Sequence, residues 1–346
     1  MKPNMQKENR LELPSGFTAR GASLADAELA MALFNRWSNA VIGRDDFKGA
    51  ESIRNEWEAP GVDPAQDIRL VFAPNGELAG YGEVWTTGKP PAHPELWGRV
   101  DPEYEGMGIG TWLMHWEEQR ALQALPGVQV EMRFAFRTGI YRQSDRAKTL
   151  FKDRGYQHVR SFYHMLIEMD TPAPEPQFPA GITVRTYNPG SDLEAVYRAD
   201  IEAFRDHFGF VEKPLEEGLR EFKHNWEQGN VDPTVMFIAM DGLSGEIAGV
   251  DLCRPTSYYD AERGWVSSLG VRRPWRKRGL GLALLLHSFN EFYRRGKRKV
   301  GLGVDAQNLT GALRLYENAG MRVDQAYDYY EKELRPGTEI RVQSLS

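Results

Sequence analysis

The chain has 346 residues, 41% of them hydrophobic and 27% charged, with a formal net charge of −6. That length suits two domains better than one, and the acidic total argues against general attraction to nucleic acid or to an anionic membrane. No apolar run approaches the ~18 residues of a membrane span, and the opening MKPNMQKENRLELPSG lacks the apolar core of a signal peptide. Cys253 is the only cysteine, so no intrachain disulfide can form and a cytoplasmic location is expected. Its bland reading is a small buried hydrophobe. The histidines are scattered without ligand spacing, and no metal site is expected.

In chain order, a short strand precedes an amphipathic helix marked by Leu24, Ala27, Met31 and Phe34. A hairpin follows: Ile68 to Phe72 turns through Pro74-Asn75-Gly76 into Leu78 to Trp85. A glycine turn, Glu105-Gly106-Met107-Gly108-Ile109-Gly110, opens a long helix, and a later short helix ends in Leu150-Phe151-Lys152-Asp153-Arg154-Gly155-Tyr156. Residues 171–179 carry four prolines, a spacing that excludes helix and sheet interior and predicts an extended linker.

The pieces then recur. Leu193, Val196, Tyr197, Ile201 and Phe204 mark a helix, and Val235 to Met240 turns into Ile247 to Leu252. A second glycine turn, Arg276-Lys277-Arg278-Gly279-Leu280-Gly281, opens another long helix, and a short helix ends at Gly320-Met321. The chain reads as a tandem duplication with two separate sheets, not one large one. Expected boundaries are 1–170, a linker over 171–180, and 181–346. The turn at Arg276 has a physical reading of its own. A helix start leaves backbone N–H groups without partners, the helix dipole adds positive character there, and glycine lets the chain approach an anion. That combination suits a pyrophosphate.

The second half resembles the GNAT acyltransferase superfamily. The resemblance rests on Val271-Arg272-Arg273-Pro274-Trp275-Arg276-Lys277-Arg278-Gly279-Leu280-Gly281, followed by Asn308-Leu309-Thr310-Gly311-Ala312-Leu313-Arg314-Leu315-Tyr316-Glu317-Asn318-Ala319-Gly320-Met321. It covers residues 181 to 334 well and residues 15 to 170 more loosely. The tandem arrangement is similar to the two-domain, mycothiol synthase-like type. The fold implied is α/β, an α+β mixed sheet in each of two tandem acyl-CoA N-acyltransferase domains, mostly antiparallel and flanked by helices.

The resemblance also implies roles. Backbone N–H groups from Arg276, Lys277, Arg278, Gly279, Leu280, Gly281 and Leu282 would take the pyrophosphate of acetyl-CoA. The strand Ser268-Leu269-Gly270-Val271 would pair with the pantetheine arm and offer an N–H to the thioester oxygen. An interior glycine such as Gly270 marks a bulge, the close approach of another chain, or tight packing. Tyr316 matches the tyrosine that meets the departing sulfur. Asn308 either contacts the cofactor or caps the next helix. Arg272, Arg273, Lys277 and Arg278 either meet the 3′-phosphate or form a solvated basic surface.

A general base is harder to find. An ammonium of pKa about 10 is only about 0.1% neutral at pH 7, so a base helps. Related enzymes often keep a carboxylate near the positions of Gly264 and Trp265, where this chain has none. Glu262, expected two residues before Gly264 on the same strand face, is the candidate, with Asp251 and Asp305 as rivals. In the first half, Glu105 replaces the turn's cation and Phe151 stands where Tyr316 should be, so that half is expected to fold but stay silent. A carboxylate 4 Å from a phosphate costs about 1 kcal/mol even in water.

The expected activity is acyl-CoA-dependent N-acyl transfer, from acetyl-CoA to a small primary amine, in a monomer or homodimer without nucleic-acid or membrane partners. The competing classes are a non-catalytic acyl-CoA-binding or regulatory protein, and a protein N-acetyltransferase.

Overall fold

A computed structural model describes residues 12–45, 49–227, 231–257, 260–308 and 311–342. Leu309 and Thr310 of the second motif therefore lie outside the described residues. The first half runs β1 (Thr18–Gly21), α1 (Ala27–Ile42), α2 (Glu51–Trp57), α3 (Pro64–Asp67), β2 (Ile68–Phe72), β3 (Leu78–Trp85), β4 (Glu95–Val100), α4 (Ile109–Leu122), β5 (Phe134–Tyr141), α5 (Asp145–Asp153) and β6 (Gln157–Glu168). The second runs β7 (Ile182–Thr186), α6 (Pro189–Phe204), α7 (Leu215–Glu227), β8 (Met236–Asp241), β9 (Ile247–Arg254), β10 (Arg263–Val271), α8 (Leu280–Arg294), β11 (Lys299–Asp305), α9 (Ala312–Asn318) and β12 (Arg322–Arg335). The order of elements repeats as the sequence predicts.

Separate sheets do not form, and that expectation is corrected. The strands join one 12-stranded sheet in the order β1-β2-β3-β4-β5-β12-β6-β11-β10-β9-β8-β7. β12, the last strand of the second half, pairs with β5 of the first, while β6 pairs with β11 of the second. β6 and β12 then pair antiparallel with each other, Phe162 opposite Tyr327. The cause is edge chemistry. A strand edge left open presents unpaired N–H and C=O groups, and the exchange satisfies β5 and β11 at once.

Only β4–β5 and β10–β11 are parallel, and both pairs part early. β4 and β5 pair at Glu95–Arg137 and Leu96–Thr138, and β10 and β11 pair from Arg263–Lys299 to Val266–Leu302. Beyond those points each pair splays, leaving a V-shaped opening beside the glycine turn. Helices cover both faces. In the second half, α6 and α7 pack on Ile238, Val250 and Leu252, while α8 and α9 pack on Cys253, Val300, Leu302 and Val304. Coverage on both sides explains why β9 is buried from end to end and reads as an almost unbroken apolar run. α6 starts where Asn188 accepts the Gly190 N–H and Pro189 occupies the first turn.

If the exchange joins the halves, cleavage within residues 171–179 leaves both fragments co-migrating in native gel filtration and separating only in denaturant. Independent migration of the fragments would contradict the exchange.

Candidate functional site

α8 opens at Gly279, whose φ of 83° is left-handed. A Cβ there would meet nothing within 4 Å, so the backbone angle, not space, requires glycine. The first helical bond runs from Ala283 N–H to Gly279 C=O at 3.0 Å, so the N–H groups of Leu280, Gly281 and Leu282 precede it and have no partner within the helix. Gly281 keeps α8 against α9, since a Cβ would come 3.2 Å from Leu315 Cδ1. Lys277 has φ 61°, the one non-glycine with positive φ among the described residues, and Gly106 holds the corresponding place in the first half. That conformation costs a side-chain-bearing residue about 1–2 kcal/mol.

Arg276 does not offer its cation to the turn. Its guanidinium donates to Val271 C=O (3.0 Å), Ala203 C=O (3.0 Å) and Asp206 (2.7 Å). Its backbone N–H is also used, by Arg273 C=O at 3.3 Å. Arg273 shares Asp206, and Arg272 pairs with Glu202 at 2.7 Å. Asp206 is consequently held down to about 2 by its two arginines. These arginines tie α6 to the end of β10. The cations left exposed at the turn are Lys277 and Arg278, which make no ion pair among the described residues.

β10 bulges against β9 between Val266 and Ser268. Leu269 and Val271 pack toward Leu280 and Leu284 of α8, and Ser268 and Gly270 face α6. Gly270 has a packing explanation: a Cβ would come 2.8 Å from Ala203 Cβ and 3.0 Å from Phe204 Cε2. Because β11 leaves after Leu302, the edge of β10 from Ser268 to Val271 that faces the opening has no strand partner. That free edge suits an extended amide-bearing ligand.

Tyr316 lies on α9, 8% exposed, and its hydroxyl has no hydrogen-bond partner among the described residues. Burial, and then nearby Asp251, raises its pKa. Asn308 is half-buried, and the residue at the N-cap position of α9 is Gly311. Glu262 requires correction. It is exposed in the turn before β10, its N–H bonded to Asp260 at 2.9 Å, and lies five residues short of Ser267, roughly 15 Å along the strand. The turn, not the strand, claims it because Asp260 organises the chain there.

Asp305 and Asp251, its rivals, are each held in place. Asp305 is clamped by Arg160, with bonds of 3.0 and 2.6 Å. Asp251 is 0% exposed on the α8 face, one oxygen accepting from the Cys253 thiol at 3.3 Å and the other without a partner. Burial pushes Asp251 up to about 7 and keeps Cys253 a neutral thiol.

Sequence reading missed Asp200. It falls on the apolar stripe of α6, at helical spacing between Val196 and Phe204, which was the available signal. The Ser268 hydroxyl donates to it at 2.5 Å. On this α6 face the floor of the opening is Gly303, where a Cβ would meet nothing within 4 Å. Trp265 and His164 stand beside it, ring against ring at 5.5 Å. His164 belongs to β6, so the first half supplies part of the wall.

The first half repeats the plan with different contents. Gly108 caps α4 with φ 87°, and a cavity of about 680 Å³ lies along the splayed strands, lined among others by Trp37, Glu105, Glu117 and Phe151. Glu105 is not a bare charge facing the turn, because Arg146 pairs with it at 2.8 Å. Arg99 is held between the rings of Trp37 and Trp97 at 4.0 and 3.9 Å. Glu117 is 4% exposed, one oxygen unpartnered, and burial pushes it up to about 8. The α1 face is more crowded, although Trp37, Arg99 and Gly139 still line the cavity. At Gly139, the counterpart of Gly303, a Cβ would strike Tyr327 at 2.5 Å, and the Tyr327 hydroxyl is fixed by Gly139 C=O (2.9 Å) and Trp97 Nε1 (3.2 Å).

Residues 36–156 and 193–321 match the model of the Acetyltransferase (GNAT) family. A protein named mycothiol acetyltransferase from Thermobispora bispora is 33% identical over 76% of this chain and 88% of its own. Another of that name, from Streptomyces bingchenggensis, is 30% identical over 87% and 90%. A crystal structure described as a GCN5-related N-acetyltransferase from Sphaerobacter thermophilus superposes with a TM-score of 0.80 at 38% identity, covering 95% of this chain and 99% of that one. A tandem GNAT protein from the clavulanic acid biosynthesis pathway shares the fold, with a TM-score of 0.68 at 14% identity over 93% and 100% of the two chains.

The Arg276 geometry carries a prediction. Arg276→Gln lowers unfolding stability by roughly 1.5–3 kcal/mol, the scale of a charged hydrogen-bond set, while acetyl-CoA affinity by calorimetry stays within about threefold. A large affinity loss with unaltered melting would return the guanidinium to the phosphate.

Proposed function

The chain belongs to the GNAT acetyltransferase family and is an N-acetyltransferase; we propose that its second half moves acetyl from acetyl-CoA to a primary amine of a small molecule by direct attack. The observation that carries this reading is the one-sided asymmetry of the two openings: above Gly303 the α6 face is free, while above Gly139 it is crowded by Tyr327. Approach of an amine is unobstructed above Gly303 in the second half and crowded by Tyr327 above Gly139 in the first.

The second-half residues suit each part of the work. The N–H groups of Leu280, Gly281 and Leu282, with Lys277 and Arg278 beside them, suit a diphosphate. The unpaired edge of β10 suits the amides of a pantetheine arm. Tyr316, whose hydroxyl has no hydrogen-bond partner among the described residues, suits the departing sulfur. Its burial keeps the phenol protonated, which is the form that donates. Phe151 offers no such proton in the first half, which supports a ligand cavity there without transfer. The relatives named for mycothiol suggest an acceptor class of small amines. At Trp265 this chain lacks the carboxylate that related enzymes often keep, so the base must come from another element.

Thiol release from acetyl-CoA across a panel of small amines tests the activity, and release that no amine stimulates would refute it. Tyr316→Phe lowers turnover at least tenfold with acetyl-CoA affinity within about threefold. Gly279→Val abolishes turnover and Gly108→Val leaves it intact, both checked for folding by circular dichroism. The reverse pattern would move the chemistry to the first half.

A further inference from the structure

Among the described residues, the open face of the second half holds one carboxylate that no cation claims, and we infer that Asp200, acting through the Ser268 hydroxyl, accepts the proton the acceptor amine must lose. This inference rests on the acyl transfer proposed above.

Ion pairing occupies the neighbouring carboxylates. Around the opening, Asp305 is tied to Arg160, Asp324 to Arg44 and Arg263, Asp206 to Arg273 and Arg276, and Glu202 to Arg272. A carboxylate locked to arginine is a poor base, because the cation stabilises the very form that must take the proton. Asp251 has no arginine but is sealed on the opposite face, under α8. Asp200 has neither handicap. It is half-buried on the open face, and its one side-chain bond comes from Ser268.

Placement agrees. Ser268 directly follows the bulge at which β10 and β11 part, so its hydroxyl stands at the head of the opening whose floor is Gly303. The groups that face Asp200 are few. On α6 the titratable group that senses Asp200 is Tyr197, one turn earlier, and from β10 the Ser268 hydroxyl reaches it. Glu221 of α7 and Glu212 of the loop before it lie near Tyr197, and Lys213 and Arg205 pair with them. Burial pushes Asp200 up to about 6, with the serine bond pulling the other way. A base of that strength is ionised at neutral pH and still basic enough to share a proton with an ammonium.

The step balances. The ammonium gives one proton to Ser268 Oγ as the serine proton passes to Asp200. The freed amine bonds to the acyl carbon, and the C–S bond breaks. The second N–H proton ends on the thiolate, which leaves as CoA thiol by way of Tyr316. The proton on Asp200 then goes to water.

The sign of the pH dependence follows: Asp200 works only as carboxylate, so kcat/KM for the amine rises with pH through about 6. In the full-length protein, with acetyl-CoA and an amine found in the panel, Asp200→Asn lowers kcat about 100-fold. It also removes that limb, with acetyl-CoA affinity unchanged. Ser268→Ala takes away the bond that favours the carboxylate, so it lowers kcat and moves the limb to higher pH; it serves if the asparagine variant does not fold. Two results overturn the assignment in distinguishable ways. A wild-type protein that binds acetyl-CoA but acylates no amine removes the transfer reading and this base with it. Normal transfer with the limb unmoved in both variants removes the base alone.

Discussion

The backbone hydrogen bonds between β6 and β12 join two half-sheets that neither half of the chain can complete by itself. Phe162 and Tyr327 occupy the same place in two corresponding strands and lie opposite one another, so the pairing forms an approximate twofold centre. Without β12 the edge of β5 would be bare, and without β6 the edge of β11 would be. Bare edges are costly and sticky, which makes the exchange the condition for the rest of the architecture. It also makes function a joint property. His164 and Arg160 come from the first half, yet they wall the second half's opening, and Phe208 of the second half lies over Arg160 at 4.1 Å.

Charge around that opening is arranged mainly for internal pairing. Arg272, Arg273 and Arg276 look from the sequence like a basic phosphate grip, but each is tied to an acid of the α6 region. What the turn leaves unpaired is a set of backbone N–H groups and two exposed cations, the groups to which the proposed function assigns the diphosphate. Lys277 accepts a left-handed backbone that Gly106 adopts freely in the first half, a local strain of about 1–2 kcal/mol that puts a cation at the turn. The same pairing settles the carboxylates, leaving Asp200 with a serine where its neighbours have guanidinium groups.

The two halves differ by degrees that sequence shows only in part. Phe151 against Tyr316 and Glu105 against Arg276 are visible at once. Less visible is that Arg146 neutralises Glu105, or that the first half retains a cavity of about 680 Å³. The difference between Gly139 and Gly303 cannot be read at all from two glycines. It arises because the strand placed next to each glycine comes from the other half and brings Tyr329 in one case and His164 in the other.

Local order was legible without coordinates. Helical periodicity, hairpin turns and the two glycine turns depend on short-range rules of backbone geometry, and those rules act within a few residues. The left-handed glycine that opens each long helix, Gly108 and Gly279, belongs to this class. Strand exchange, the inward use of Arg276, the displacement of Glu262 into a turn and the meeting of Asp200 with Ser268 do not. Each depends on which segments come together across the sheet. Asp200 and Ser268 are distant in sequence, and only the packing of α6 on β10 brings a carboxyl and a hydroxyl within one hydrogen bond. Sequence by itself determined that a glycine turn opening a long helix occurs twice; tertiary structure decided which copy stands beside an open face and a carboxylate paired with serine instead of arginine, because that depends on which segments pack across the sheet.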